Sequence, residues 1–313
     1  MEIFAFHDSS LPAEMLPALV WPGLQDHRAR TDGFAQTRAS PAKLAFMNAG
    51  LRDIEVDGLR IAYWMEGEGP PVVFLHGFFG DHRVWRSQFE LADRYRVVAW
   101  DAPGCGSSSV PPSSWSLAEY AECLAGFIDA LGLESPHVVG NSFGGSLALK
   151  VYDHSPAKLR SLVLADTYAG WSGSFPPEIV EQRLNWSLPD LDLPVDQVVT
   201  KWLPGFVTQA AAEPIVTEMA SIISDFNREG MRVMIQALAE ADLRDVLPRV
   251  AVPVLLVWGG QDVRSPLEVA KAMRSQISTS RLVVLRGAGH LSHVEAPARF
   301  NEELRRFFAR AGL

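Results

Sequence analysis

The sequence predicts an α/β protein with a mostly parallel central sheet, flanked by helices and interrupted by one inserted helical cap. Two observations carry this prediction. Short, nearly unbroken apolar runs recur along the chain, as in strands that are covered on both faces. Segments with helix-start signals lie between most of these runs. The runs are Val72–Leu75, Val97–Trp100, Val138–Val139, Leu162–Leu164, Val254–Trp258 and Leu282–Leu285.

Composition narrows the class of protein. Hydrophobic residues make up 48% and charged residues 21% of the 313, which is enough for a packed core. The net charge of −9 argues against nucleic acid or an anionic membrane surface as a partner. No secretory signal and no membrane-spanning run is visible, so we expect a cytoplasmic location. We expect Cys105 and Cys123 to be reduced, and a disulfide between them is the alternative. The sequence also leaves open whether the protein forms a homodimer.

The chain before the first strand is the hardest part to interpret. Four prolines interrupt residues 1–50, and no hydrophobic period is sustained there, so we predict a weakly structured N-terminal arm. A strand-like pattern starts at Leu51. The dipeptide Asp57-Gly58 separates two such segments, which predicts a hairpin with a tight turn. The first part of the α/β core is then assigned to residues 51–167.

Helix starts are marked by three signals. Ser116-Leu-Ala-Glu119 and Ser265-Pro-Leu-Glu268 both match the capping box, the second with proline at the first helical position. Pro297 opens the last helix in a similar manner. An apolar stripe supports that last helix, formed by Phe300, Leu304, Phe307 and Phe308.

The alternation of strand and helix fails once, between Asp166 and about Ala251. We predict a helical cap or lid at residues 168–245 and the second part of the core at residues 246–313. Helical runs are expected near Glu178–Trp186 and Met231–Leu243. The aromatic residues of this region either face a substrate cavity or form its own core. They are Trp171, Phe175, Trp186, Trp202, Phe206 and Phe226.

Chemically competent side chains follow several of the predicted strands. Ser142 lies at the centre of Gly140-Asn-Ser-Phe-Gly144, between an apolar run and a helix-compatible segment. Asp262 and His290 follow two later apolar runs. Because ligand sites of open parallel sheets lie at the carboxyl ends of the strands, we expect these three side chains at one edge.

The motifs at this edge resemble those of the α/β-hydrolase fold family, over roughly residues 52–312. Several motifs occur in the family's order, which is far more specific than the serine motif alone. They are His76-Gly77-Phe78, Asp101-x-Pro-Gly104-x-Gly106, Gly140-x-Ser142-x-Gly144, Asp262 and Gly289-His290.

The resemblance implies a role for each site residue. Ser142 would be the nucleophile, His290 its general base, and Asp262 the acid that orients the imidazole. The backbone N–H groups of Phe78 and Phe143 would form the oxyanion hole.

Other residues compete for these roles. His293 lies three positions after His290 and is an alternative base, although it falls inside the following loop or turn. Asp166 is an alternative triad acid, since some family members place the acid after the preceding strand. We interpret His76 as a structural tie of the oxyanion loop and Asp101 as a residue that fixes the following turn.

The implied activity is hydrolysis of carboxylic esters with short to medium acyl groups, or of lactones, without cofactor or metal. A serine nucleophile separates the chain from the dehalogenases and epoxide hydrolases of this fold, which attack with aspartate. We expect a small ester of low charge as the substrate. Its binding residues would be Phe79, Trp171, Trp186 and Trp202.

Three alternatives stay open. Asn141 before the nucleophile resembles the meta-cleavage carbon–carbon bond hydrolases, but those enzymes have a longer glycine-rich loop than Phe78-Phe79-Gly80-Asp81. A cofactor-free perhydrolase would use the same acyl-enzyme. A ligand-binding receptor on the same fold is the non-enzymatic alternative, although a receptor has no physical need for an intact serine, histidine and aspartate set.

Overall fold

The computed structural model describes residues 50–311, so the predicted N-terminal arm lies outside the described residues except for Gly50. Eight strands form one sheet in the order β1-β2-β4-β3-β5-β6-β7-β8. None of the helices in this part of the chain is long and apolar enough to cross a membrane. The strands are β1 Leu51–Val56, β2 Leu59–Glu66, β3 Pro71–Leu75, β4 Arg96–Trp100, β5 His137–Asn141, β6 Ser161–Ala165, β7 Val254–Gly259 and β8 Ser280–Leu285.

Helices connect the strands, and the long connection between β6 and β7 holds four of them. We call residues 166–253 the helical insertion. A 3₁₀-helical segment, His82–Asp93, joins β3 to β4. The α-helices are α1 Leu117–Ala130, α2 Phe143–His154, α3 Pro177–Asp190, α4 Val195–Trp202, α5 Glu213–Ser224, α6 Arg228–Glu240, α7 Leu267–Gln276, α8 Ser292–Glu295 and α9 Pro297–Ala311.

The sheet is parallel except at its first edge. Strands β1 and β2 form an antiparallel hairpin in which Val56 pairs with Leu59, and β2 pairs antiparallel with β4. Asp57 and Gly58 both have positive φ, as the predicted tight hairpin turn requires. All other pairings are parallel. The predicted mostly parallel α/β sheet flanked by helices is confirmed.

Burial explains why the apolar runs form strands. Every residue of β5, β6 and β7 is buried, because helices cover both faces of the central sheet. The capping box at α1 is present: the Ser116 side chain accepts the N–H of Ala118, and Glu119 accepts the N–H of Ser116. The last helix begins at Pro297 as predicted, and its apolar stripe is buried.

The predicted capping box at Ser265 is wrong. Helix α7 begins at Leu267, and its first turn receives no side-chain hydrogen bond from Ser265. The Ser265 hydroxyl instead donates to the carbonyl of Thr167 at 2.6 Å, while its N–H donates to Asp262. Both groups of Ser265 are therefore used to join the ends of β6 and β7, where the candidate site lies.

The helical insertion contains two helices that sequence patterns did not indicate. Helices α3 and α6 correspond to the predicted runs, whereas α4 and α5 lie in the proline-broken stretch between them. Two of these prolines begin helices rather than interrupt them: Pro194 precedes the first residue of α4, and Pro214 lies in the first turn of α5.

Candidate active site

Ser142 occupies a strained turn between β5 and α2. Its backbone has φ 53° and ψ −117°, a conformation that costs free energy for a residue with a side chain. The Ser142 N–H donates to the carbonyl of Ala165 at 2.9 Å, which fixes the turn to the end of β6. Such a turn lifts the hydroxyl away from the strand and places it beside a helix N-terminus.

The two glycines that flank Ser142 are required by close backbone contacts. A Cβ atom on Gly140 would lie 2.2 Å from the carbonyl oxygen of Gly144. A Cβ on Gly144 would lie 2.2 Å from the carbonyl oxygen of Leu75. No side chain fits at either position, so the turn is possible only with glycine on both sides of the serine.

The loop after β3 packs directly against Ser142. A Cβ on Gly77 would lie 2.9 Å from the Cβ of Ser142, so the backbone of this loop touches the serine. Phe78 follows in the loop, and its ring centroid lies 6.1 Å from that of Phe143. Phe143 is the first residue of α2, where backbone N–H groups have no acceptor within the helix. Both residues predicted for the oxyanion hole therefore border Ser142.

His76 ties this loop to the next strand end. Its Nδ1–H donates to the carbonyl of Gly77 at 2.8 Å, and its Nε2 accepts the N–H of Ala102 at 2.9 Å. Burial lowers the pKa of His76, so the ring is neutral and can serve as donor and acceptor at once. These two bonds agree with the structural role that we expected for His76.

Asp262 and His290 form a direct buried pair. The Nδ1–H of His290 donates to Oδ2 of Asp262 at 2.9 Å, which leaves Nε2 of the imidazole free to accept a proton. Oδ1 of Asp262 accepts the N–H groups of Arg264 and Ser265 at 2.8 and 3.0 Å. Each carboxylate oxygen thus has its own partners, and the carboxylate plane is fixed toward the histidine.

Ser142 and His290 are brought together by the residue that precedes the serine. The side-chain N–H of Asn141 donates to the carbonyl of His290 at 3.1 Å, which joins the end of β5 to the histidine loop. Ser142 and His290 are 4% and 1% exposed, so bulk water has little access to either in this state. Sequence patterns did not assign this bridging role to Asn141.

A second residue that sequence reasoning missed is Glu295 in α8. One of its carboxylate oxygens accepts the N–H of Gly289 at 2.7 Å, and the other accepts the N–H of Thr208 at 2.9 Å. Glu295 therefore connects the histidine loop to the helical insertion. Phe206 of the insertion is stacked on the His290 ring at a centroid distance of 6.0 Å.

Asp166, the alternative acid, is fully buried but points to other partners. Its Oδ1 accepts the N–H of Gly259 at 2.6 Å, and its Oδ2 lies 2.5 Å from the hydroxyl of Ser292. Burial, followed by the nearby charge of Asp262, raises the pKa of Asp166 well above its usual range. The Nδ1 of His290 is bonded to Asp262, whereas both oxygens of Asp166 accept hydrogen bonds from Gly259 and Ser292, so Asp166 braces the histidine loop instead of orienting the imidazole.

His293, the alternative base, has the surroundings of a core residue. Its ring is stacked on Trp85 at a centroid distance of 4.0 Å and is fully buried. Within residues 50–311, neither of its ring nitrogens has a hydrogen-bond partner. Burial, with a smaller effect from His290, lowers the pKa of His293 to about 3.

This burial makes the folded state sensitive to acid. Below its ordinary pKa of 6.5 the unfolded His293 takes up a proton, whereas the folded one does not until about 3. Stability from this residue is therefore present above pH 6.5 and is lost as pH falls toward 3. The unfolding free energy of the wild type should fall between about pH 7.5 and about pH 5. In His293→Phe we expect this fall to be smaller by about 2 kcal/mol.

Urea unfolding at the two pH values measures this difference. His154→Gln is the control, because the His154 side chain is exposed at the end of α2 in the folded protein as well. An unchanged pH dependence in His293→Phe would contradict the argument.

A cluster of three buried titratable residues, Asp81, His82 and Asp101, lies beside the loop after β3. Oδ1 of Asp101 accepts both the N–H and the Nδ1–H of His82, and Oδ2 accepts the N–H of Ser107, which fixes the turn after β4. Asp81, His82 and Asp101 have ligand atoms close enough to share a metal ion. Arg83 pairs with Asp81 at 2.6 Å, so the guanidinium of Arg83 compensates the negative charge of this carboxylate.

Three of the four residues expected to bind substrate form one cluster where the insertion packs on the core, and the fourth, Trp171, contacts the loop after β3. The ring of Phe79 is 4.6 Å from that of Trp202, which in turn lies 4.9 Å from Trp186. Trp171 contacts the ring of Phe78 at 5.9 Å. Only Trp186 is partly exposed, so these aromatic side chains pack the insertion onto the strand-end loops. Their contact with substrate stays a prediction.

Both cysteines are free and buried. Burial raises the pKa of the Cys105 thiol well above its usual range, and Cys105 is thus a packing residue in this structure.

A strained serine at a strand-to-helix turn, a buried Asp–His pair and a mostly parallel sheet define an α/β-hydrolase. The family model described as "Alpha/beta hydrolase family" matches residues 72–303, and the chain belongs to this family. It is 28% identical over 253 residues to 3-oxoadipate enol-lactonase 2 of Acinetobacter baylyi, which covers 78% of this chain and 90% of the relative.

Two further relatives widen the range of activities. A thermophilic esterase from Thermogutta terrifontis, solved with malate bound, superposes with a TM-score of 0.77 and 28% identity over 84% of this chain and 99% of its own. The acetyltransferase component of the acetoin cleaving system of Cupriavidus necator is 28% identical over 310 residues, covering 95% of this chain and 79% of its own.

Proposed function

We propose that the protein is a serine hydrolase that cleaves carboxylic esters of short to medium chain length, or lactones, through an acyl-enzyme. The observation that carries the proposal is the buried hydrogen bond between Asp262 and His290 beside the strained Ser142. An esterase and an enol-lactonase among the relatives support hydrolysis of an ester bond.

In the proposed first step, Nε2 of His290 takes the proton of the Ser142 hydroxyl while the oxygen attacks the substrate carbonyl. The resulting imidazolium returns the proton to the leaving alkoxide, and the acyl group stays on Ser142. Water then attacks the acyl-enzyme with the same proton transfers, which releases the acid and restores the serine. Asp262 holds the imidazole in the correct tautomer and stabilises its charged form.

The negative charge of each tetrahedral intermediate would be held by two backbone N–H groups. Phe143 provides one at the start of α2, where the helix dipole adds to the effect. Phe78 provides the other from the loop whose backbone touches Ser142. A lost oxyanion donor typically costs about 3–4 kcal/mol of transition-state stabilisation.

The test is turnover of p-nitrophenyl esters from acetate to decanoate, together with covalent labelling by a serine-reactive phosphonate. We expect a preference for short to medium acyl groups and a single label that peptide mass spectrometry assigns to Ser142. Labelling at Ser142 without ester turnover would redirect the search to carbon–carbon bond substrates. Absence of both turnover and labelling in the folded protein would overturn the proposal and favour a binding protein.

A further inference from the structure

One arginine of the helical insertion reaches across to the candidate site. Arg183 extends from α3, and one of its terminal N–H groups donates to the carbonyl of Arg264 at 2.8 Å. Arg264 is the residue whose backbone N–H binds Asp262. The guanidinium carbon of Arg183 lies over aromatic rings, 4.1 Å from the centroid of Phe175 and 5.3 Å from that of Trp171.

These rings link Arg183 to both halves of the proposed catalytic machinery. The ring of Trp171 meets that of Phe78, the proposed oxyanion residue, at 5.9 Å. The guanidinium carbon of Arg183 is 5.7 Å from the centroid of Tyr168, and this ring lies 6.4 Å from that of His290. The cation is thus one aromatic ring away from the histidine and one from the oxyanion loop.

The positive charge of Arg183 has no paired carboxylate within the described residues, and two buried N–H donors near it have no acceptor there. Among residues 50–311, no carboxylate lies within ion-pair distance of Arg183, whereas Arg232 and Arg244 of the same insertion pair with aspartates. In the same part of the chain, Nε of Arg183 and the indole N–H of Trp171 are buried without an acceptor. Buried donors without acceptors are costly, and an anionic ligand between them would satisfy both.

A second cation lies on the same side of the histidine. The guanidinium of Arg264 is stacked on Trp202 and Phe206 at 4.5 and 4.2 Å, and Phe206 is itself stacked on His290. Burial lowers the pKa of Arg264, and a bound anion would offset this effect. The net charge of the chain is −9, yet these two guanidinium groups place positive charge near His290, where Asp262 is already paired with the imidazole.

We propose that Arg183, with the indole N–H of Trp171, binds a free carboxylate of the substrate. The substrate class would then be esters or lactones that carry a second, ionised carboxyl group, rather than the neutral esters expected from the sequence. This inference rests on the proposed ester hydrolysis at Ser142. A guanidinium suits the role because it presents paired donors to a carboxylate and stays charged when partly desolvated.

The experiment compares monomethyl esters of linear dicarboxylic acids, from succinate to suberate, with methyl esters of monocarboxylic acids of equal chain length. Methanol release gives kcat/KM for each pair. The wild type should prefer the anionic member at one or more chain lengths. Arg183→Gln should lower the ratio of anionic to neutral kcat/KM by about tenfold or more, mainly through KM. Trp171→Phe, which keeps the ring but removes the donor, should lower it by a smaller factor.

Arg232→Gln is the matched control, because Arg232 lies in the same insertion and pairs with Asp192 at the surface. An equal loss with neutral and anionic esters in Arg183→Gln would indicate a structural role and overturn the proposal. A wild type without preference for any anionic ester would overturn it as well, while turnover of neutral esters would leave the proposed function intact. As a measurement without turnover, glutarate should raise the melting temperature of the wild type, raise that of Trp171→Phe by less, and leave that of Arg183→Gln unchanged.

Discussion

Ser142→Ala is expected to lower kcat on p-nitrophenyl esters by about 10⁵-fold or more. The substitution removes only the attacking oxygen. The oxyanion donors are backbone groups, so they survive, and the remaining rate enhancement over water should come from them and from substrate binding. KM should change little, because the hydroxyl makes its decisive contact only as the new bond forms. Initial rates over a range of ester concentrations measure both quantities, and titration with the phosphonate gives the active fraction of the wild type.

The fold should survive this substitution. The N–H of Ser142, which binds Ala165, is retained, and alanine at φ 53° has the same backbone strain as serine. Ser224→Ala is the control, since Ser224 is exposed and its hydroxyl donates to the Ser221 carbonyl of its own helix. Full turnover is expected from Ser224→Ala. Retention of more than about 1% of wild-type kcat by a folded Ser142→Ala would show that the nucleophile lies elsewhere.

The central part of the fold could be predicted because its signals are local. Strands that are buried on both faces need unbroken apolar runs, and all six of the predicted runs lie within strands. The hairpin turn at Asp57-Gly58 requires positive φ, which its two residues tolerate. Helices α4 and α5 escaped prediction because their prolines were interpreted as breaks, although Pro194 and Pro214 stand at helix starts.

The residues of the candidate site likewise fall into those that the sequence could locate and those that it could not. Ser142, Asp262 and His290 could be located because the carboxyl ends of parallel strands meet at one edge. Arg183 could not, because its position depends on how α3 folds back over a loop more than 80 residues further along the chain. Ser265 was misassigned for a related reason: its hydroxyl had a tertiary acceptor, the Thr167 carbonyl, that no local pattern shows.

Asp262→Asn is expected to lower kcat by about 10⁴-fold. The carboxylate accepts the Nδ1–H of His290 on one oxygen and two backbone N–H groups on the other. An asparagine that keeps its oxygen toward the backbone must turn its NH₂ group toward His290. The imidazole would then carry its proton on Nε2, where it cannot accept the proton of Ser142. The pH profile of kcat/KM and active-site labelling rates measure the loss.

Asp166→Asn is the matched comparison, because Asp166 lies at the end of the neighbouring strand and is the alternative acid. Its raised pKa makes the neutral amide a fair substitute: the amide oxygen can accept the N–H of Gly259, and the NH₂ can donate to the Ser292 hydroxyl, while the long bond from the Ser292 N–H is lost. A loss of less than about tenfold is expected, since the group braces the loop without touching the imidazole. The reverse order, with Asp166→Asn inactive and Asp262→Asn active, would assign the acid to Asp166. In that case His290 would have to turn away from Asp262 during turnover, and the buried pair would be a resting state rather than the working one.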